Sequence, residues 1–344
     1  RSRKGHYGEL FHQLSKQGYL KVRVDGKIID ITPGLKLDRY KIHDIEVVID
    51  RLKATNLNKK RLRSSLKLAM EELPSCTFYL FGNKEEVLAH PSFIDVDQER
   101  VQVIHAPEQI TFKDNPTRAI LRKPKSSISV GLNWLSTRKI DVFSGTGNTG
   151  AMLVGSIYKS TTIPGVIRPC ITSTLPTITG GKTVLLDVGS NADCKADVLS
   201  QFAVLGSIYA QHVYGKKKPK VALLNIGEEE SKGNLLTIAA HELLKSSDEI
   251  NFIGNVEGRD IFTGVADVIV CDGYTGNVVL KQAEGIYSLI KKRGISDEYF
   301  DRFNYENYGG TPILGIRGNV IIGHGISNDI AIKNMLLHSY EVAS

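Results

Sequence analysis

The sequence predicts an α/β protein: a mostly parallel sheet covered by helices on both faces, with a small β-containing appendage at its N-terminus. Three observations lead there. Short, nearly continuous apolar runs alternate with stretches of helical spacing from residue 75 onward, the pattern of strands buried on both faces. Several of those runs pass directly into small polar loops, as strands of open α/β sheets do where they meet a ligand. The first fifth of the chain differs in character. Residues 1–70 carry 17 Lys+Arg against 7 Asp+Glu, and the chain as a whole 44 against 37, which leaves 27 against 30 for the remainder. At 344 residues there is room for two domains or one large α/β domain.

In chain order, YLKVRVDGKIIDI (19–31) alternates about a central Asp-Gly and reads as a β-hairpin. Buried strands follow at CTFYLFG (76–82), VQVIHA (101–106), DVFSG (141–145), TVLLDVG (183–189), KVALLNIG (220–227), INFIGNV (250–256), DVIVCDG (267–273) and VIIGHG (320–325). Helices are expected from AMLVGSIY (151–158) and over VLSQFAVLGSIYAQHVYG (198–215). NYENYGGTPILG (304–315), with its aromatics, Gly-Gly and Pro, reads as an ordered loop over a site or interface, or as a purely structural turn.

SGTGNTG (144–150) stands between a strand and a helix and contains nothing apolar. Glycines let the main chain approach a ligand, and a helix N-terminus offers N–H groups to an anion. It is neither a dinucleotide fingerprint nor a Walker loop, and on its own it reads equally well as a tight turn. DVGSNAD, NIGEEESKGN and CDGYTGN repeat the strand-to-polar-loop pattern, which favours a shared polar site.

Composition narrows the classes. The apolar fraction of 41% and charged fraction of 24% are those of a globular protein, and no run approaches a membrane span. RSRKGHYGEL has no hydrophobic signal core. Cys76, Cys170, Cys194 and Cys271 are scattered without C-x-x-C or zinc spacing, which reads as reduced thiols in a cytoplasmic protein.

SGTGNTGAML, RPCITSTLPT, LLDVGSNADCKADVLSQFAVLGSIYA, LLNIGEEESKGN, NFIGNVEGRD, DVIVCDGYTGNVVLK and NYENYGGTPILGI…VIIGHGISN occur in unbroken order. Together they make residues 70–340 resemble the bacterial phosphate acyltransferases of phospholipid synthesis. The resemblance implies a three-layer α/β/α sandwich related to phosphotransacetylases and isocitrate-dehydrogenase-like folds, usually homodimeric. It implies conversion of acyl-[acyl-carrier protein] and inorganic phosphate to acyl phosphate and free carrier protein, with no cofactor. Residues 1–68 depart from it. Such proteins begin with a strand and a loop reading roughly D-x-M-G-G-D, and the chain has no such sequence. RKGHYGELFHQLSKQGYLKVRVDGKIIDI…LKLDRYKIHDIEVVIDRL instead resembles a piece of the ATPase component of the ABC excinuclease, from the region that contacts UvrB. The expected division is therefore a basic appendage over 1–68 and an acyltransferase domain over 69–344, joined near residues 64–74. That domain lacks the usual first strand and glycine loop.

Phosphate is already a nucleophile, so the protein has to bind a dianion, align it with a thioester carbonyl and stabilise an oxyanion. Lys232 in EEESKGN and Asn277 in GYTGN match positions taken as catalytic. Apart from the resemblance, Lys232 reads as a solvated lysine answering Glu228 to Glu230, and Asn277 as a cap or turn residue. Gly147, Asn148 and Thr149 match the G-N-T-G loop expected to line the phosphate or pantetheine pocket. Asp187, Gly189, Asn191 and Asp193 match a second site loop, to which Lys195 could add charge; Asp187 also suits a strand-end cap. His324, in IIGHGISN, reads as a hydrogen-bonded structural histidine rather than a general acid. EGIYSLIKKRGISDEYFDRF (284–303) is short and amphipathic, so peripheral membrane contact through Lys291, Lys292 and Arg293 is expected to be weak. Two alternatives are an acyl-coenzyme A-dependent phosphate acyltransferase and a non-catalytic fusion whose basic segment binds a repair partner or nucleic acid. A 17-to-7 charge ratio is equally that of a solvated fragment, so nucleic acid is not the expected partner.

Overall fold

The computed structural model describes residues 69–344 apart from 91, 92, 94–96 and 98. From the N-terminal part it describes residues 3–4, 7, 9, 11–12, 21–24, 27–30, 32, 35–37, 42–43 and 45–47. The chain divides into two compact units, Arg1–Asn58 and Lys59–Ser344. The junction expected at 64–74 lies, as far as residue 68, outside the described residues.

In the first unit the strands are β1 (Arg3–Lys4), β2 (Lys21–Val24), β3 (Lys27–Asp30), β4 (Ile42–His43) and β5 (Ile45–Val47). They pair with one another: β1 with β4, and β3-β2-β5 as an antiparallel sheet. Strands β2 and β3 pair antiparallel with Val24 opposite Lys27, as the hairpin reading of 19–31 expects; Asp25 and Gly26 lie outside the described residues.

The second unit opens with β6 (Phe78–Gly82), helix α1 (Lys84–Leu88) and β7 (Val101–His105), the two strands forming a parallel pair. Helices α2 (Pro116–Arg122) and α3 (Ser127–Ser136) lead to β8 (Val142–Gly145) and α4 (Thr149–Ser160). Next come β9 (Cys170–Pro176), β10 (Lys182–Leu186), α5 (Ala196–Tyr214), β11 (Lys220–Leu224) and α6 (Leu235–Lys245). The chain ends through β12 (Asn251–Val256), β13 (Val268–Val270), α7 (Gly273–Lys292), β14 (Thr311–Leu314), β15 (Asn319–Ile322) and α8 (Asp329–Ala343).

The main sheet has the order β12-β11-β13-β10-β9-β14-β15-β8. Its pairings are parallel except for β10–β9, β9–β14 and β14–β15. Alternate residues explain the three layers. Val184, Leu186, Val221, Leu223, Val268 and Val270 pack with Val198, Leu199 and Phe202 of α5 and Leu244 of α6. Leu185, Ala222, Leu224 and Ile269 belong to a second core with Ile120 of α2, Leu132 of α3 and Met152 of α4. Both faces of the central strands are therefore dry, and neither residue parity can be polar. This is why these segments read as unbroken apolar runs.

Two strands depart from the sequence reading. Cys170–Pro176 carries no strand expectation, and Thr311–Leu314 falls inside the stretch read as a loop. Both form antiparallel strands in the middle of the sheet. Their Ser, Thr and Pro content hides them from a pattern search. Backbone pairing with strands on both sides outweighs that local preference.

Candidate active site

A cavity of about 530 Å³ opens on the face of the sheet at β9. Ile171, Ser173 and Leu175, alternate residues of that strand, form its floor, and Asn277, Leu280, Lys281 and Glu284 of α7 form one wall. Phe303 and Tyr308, with the loop after β15 from Gly323 to Ser327, form the rest of the rim. The lining is mainly apolar, and its polar side chains include Thr149, Ser173, Thr174, Asn277, Lys281, Glu284 and His324.

The position of α7 follows from its N-terminal sequence. Asp272 caps it, accepting from the Thr275 backbone N–H at 2.8 Å and from the Thr275 hydroxyl at 2.7 Å. Gly273 N–H donates to the Asn191 carbonyl at 2.8 Å. A Cβ at Gly276 would collide with the Asp187 carbonyl, so only glycine lets the helix lie this close to the loop after β10. Asn277 then reaches that loop and donates through Nδ2 to the Val188 carbonyl at 3.0 Å. Gly189 has φ +135°, and a Cβ there would stand 2.9 Å from Asn277 Nδ2. The glycine is therefore required both by its backbone conformation and by the approach of the amide.

Asp187 organises this loop from behind. The residue is fully buried. Its Oδ1 accepts from Ile171 N–H at 3.0 Å, Ser190 N–H at 3.2 Å and the Ser190 hydroxyl at 2.7 Å. Its Oδ2 accepts from Asn191 N–H at 2.6 Å and Asn191 Nδ2 at 3.0 Å. Asn191 also donates to the Pro169 carbonyl at 2.8 Å. With five donors the carboxylate is fully engaged, and Asp187 and Asn191 hold the loop's shape.

Of the residues singled out in the sequence, Thr149, Gly189, Asn277 and His324 line the cavity. Asn148 lies beside it as the cap of α4. Its Oδ1 accepts from Ala151 N–H at 3.0 Å, and its Nδ2 donates to the carbonyls of Thr111 at 3.1 Å and Asp114 at 3.3 Å. Gly147 borders an adjoining, wider cavity of about 1140 Å³ that includes β6 and β8 and shares Phe112 and Gly325 with the first. Asp193 and Lys195 are exposed ahead of α5, and the Asp193 carbonyl accepts from Arg168 at 3.1 Å.

Lys232 is outside the cavity lining, on the exposed loop after β11, with its ammonium 3.9 Å from Glu229. That loop is held through its backbone: Asn225 Nδ2 donates to the Lys232 carbonyl at 3.0 Å. Because β11 and β13 pair in parallel, as do β13 and β10, the loops bearing Lys232 and Gly189 and the start of α7 bearing Asn277 all follow strand ends on the same side of the sheet.

At His324, the carbonyl accepts from Ser327 N–H at 2.9 Å and from the Ser327 hydroxyl at 2.6 Å. Burial, and then the charge of Lys281, lower its imidazole below the ordinary range of about 6.5. The ring is therefore neutral at pH 7, suited to hydrogen bonding rather than charge.

Lys281, Glu284, Ser173 and Thr174 line the cavity without having been singled out in the sequence. The first two had a legible signal: Lys281 and Glu284 stand four and seven residues after Asn277 and share its helix face. The other two had none, since their strand was not foreseen.

Comparison with known proteins shows the family and the fold. A phosphate acyltransferase from Syntrophomonas wolfei is 44% identical over 263 residues, covering 75% of this chain and 82% of its own. One from Caldanaerobacter subterraneus is 40% identical over 311 residues, covering 85% and 92%. Among solved structures, the EutD phosphotransacetylase from Staphylococcus aureus superposes with a TM-score of 0.57 at 14% identity, covering 83% of this chain and 93% of its own. A phosphotransacetylase from Streptococcus pyogenes gives 0.55 at 15%, covering 82% and 99%. These two likenesses concern the fold. Residues 1–74 match the family described as UvrA interaction domain. Residues 56–343 match the family described as fatty acid synthesis protein, and it is to this family that the chain belongs.

Proposed function

We propose that the chain transfers an acyl group from acyl-[acyl-carrier protein] to inorganic phosphate, releasing acyl phosphate and the free carrier thiol. The observation that carries the reading is the Asn277 amide on the wall of a mainly apolar cavity, in a family whose curated relatives are phosphate acyltransferases. The apolar walls suit an acyl chain. A phosphate oxygen attacks the thioester carbonyl, the C–O bond forms, and the tetrahedral oxyanion collapses with cleavage of the C–S bond and departure of the thiolate. One N–H of Asn277 is committed to Val188. The other is available to the developing oxyanion.

Lys232 is the second catalytic residue of this reading, supported by its place on the neighbouring loop at the same sheet edge. Its side chain is half exposed and only loosely paired with Glu229, so it is able to swing toward bound phosphate. Lys232→Ala is expected to lower acyl phosphate formation at least about tenfold with an unchanged circular dichroism spectrum. Near wild-type turnover would return Lys232 to the solvated surface.

The deciding assay offers acyl-carrier protein and acyl-coenzyme A side by side with phosphate and follows acyl phosphate. Preference for the carrier-protein donor is expected; preference for coenzyme A would replace that donor in the scheme. The reading includes a homodimer and no more than weak contact with anionic lipid through Lys291, Lys292 and Arg293. Among the described residues no helix is long and apolar enough to cross a membrane.

The first segment bears on rate. Strands β1 to β5 pair among themselves, and no D-x-M-G-G-D loop occurs in the chain. Replacing residues 1–64 by a first strand and glycine loop of the family type is therefore expected to raise turnover. Equal rates for the two proteins would show that such a loop is dispensable.

A further inference from the structure

The acyl-transfer reading leaves open which group receives phosphate in the cavity before reaction. Among the described residues that line it, Lys281 is the single Lys or Arg and Glu284 the single carboxylate. They pair with each other: Lys281 Nζ lies 2.7 Å from one Glu284 oxygen and 3.0 Å from the other. Their side chains are 52% and 31% exposed, so the pair meets water at the open part of the cavity. An ion pair this accessible contributes little to stability, and a dianion can displace its carboxylate. Asn277, the proposed oxyanion donor, is one helical turn away on the same face of α7, about 5–6 Å at the Cβ atoms. His324 on the opposite rim feels both charges, the lysine pushing its pKa down and the glutamate pushing it up. Lys232, by contrast, stands outside the cavity lining among Glu228, Glu229 and Glu230.

We propose that Lys281 is the cation that receives phosphate in this cavity, and that Glu284 holds the empty site by occupying Lys281 until phosphate displaces it. This gives α7 an ordered strip: Asn277 for the developing oxyanion, Lys281 for the nucleophile, and Glu284 as an internal competitor. Lys281 is then a ground-state binding residue. Its loss raises the KM for phosphate with little change in the KM for the acyl donor.

The inference rests on the acyl-transfer reading, because it takes phosphate to be the anion. The experiment therefore separates the two. Orthophosphate binding to the full chain is measured by equilibrium dialysis for wild type, Lys281→Met, Lys281→Arg and Glu284→Gln, with acyl phosphate formation assayed on the same preparations. Lys281→Met is expected to weaken phosphate binding about tenfold or more, since one charge-assisted contact is lost. Lys281→Arg should restore most of it. Glu284→Gln should tighten it several-fold, a change in the opposite direction that a merely structural ion pair would not give. Three results overturn the inference: no saturable phosphate binding by wild type, wild-type affinity in Lys281→Met, or weaker binding in Glu284→Gln. If phosphate binds in a Lys281-dependent way and no acyl phosphate forms, the acyl-transfer reading fails and the site for phosphate stands. If acyl phosphate forms and Lys281→Met leaves both its KM for phosphate and its phosphate affinity unchanged, only the inference fails.

Discussion

Asn277→Ala is expected to slow acyl phosphate formation at least about tenfold while the chain remains folded. The side chain of this exposed residue donates to the Val188 carbonyl at 3.0 Å, so its removal should cost only about 1 kcal/mol of stability. Its expected contribution to the reaction is larger. A preorganised amide aimed at a developing oxyanion is typically worth ~2.7–4 kcal/mol in the transition state, because the donor is already in place. Asn277→Asp should be worse than alanine. It replaces a donor by an acceptor that faces both the Val188 carbonyl and an incoming dianion. Steady-state rates with saturating phosphate, together with thermal melts, distinguish catalysis from folding. Turnover near wild type in Asn277→Ala would remove the amide from the mechanism.

Asp187→Ala is expected to have the largest effect on stability, a loss of about 3–5 kcal/mol read from the shift of the urea midpoint. The carboxylate is fully buried and collects five donors from Ile171, Ser190 and Asn191. Without it, several buried N–H and O–H groups lose their acceptor together. Each such group costs about 1–3 kcal/mol when left unmade, less whatever water recovers. Asp187→Asn should be nearly as damaging, because its amide nitrogen would face either the two donors of Asn191 or those of Ile171 and Ser190. The same loop supplies Val188 and Gly189 to Asn277, so activity should fall with stability in both variants. A midpoint shift equivalent to less than about 1 kcal/mol in Asp187→Ala would show that the loop keeps its shape without the carboxylate.

What the sequence by itself determined is what depends on local pattern. Buried parallel strands are apolar at both residue parities, so TVLLD, KVALL and DVIV are visible as strands, and the glycine-rich polar stretches that follow them as loops. The alternation about Asp25-Gly26 made the first segment legible as a hairpin, and the charge split set that segment apart. Asn277 and Gly189 could be picked out because each belongs to a short polar, glycine-containing stretch of sequence directly after such a strand. Only the tertiary structure decided which of these polar residues share a space. Asp187 and Asn148 are polar residues in glycine-containing stretches of sequence, as Asn277 is, yet their hydrogen-bonding atoms are consumed by neighbouring backbone. That depends on partners up to 37 residues away, which no local pattern encodes. Strands β9 and β14 were hidden for the same reason, since their conformation is imposed by ladders on either side. With β9 came the floor of the cavity, and α7 packing beside it brought Lys281 and Glu284 to its wall. Spacing can place residues on one face of a helix, but what that face looks onto is set by long-range packing.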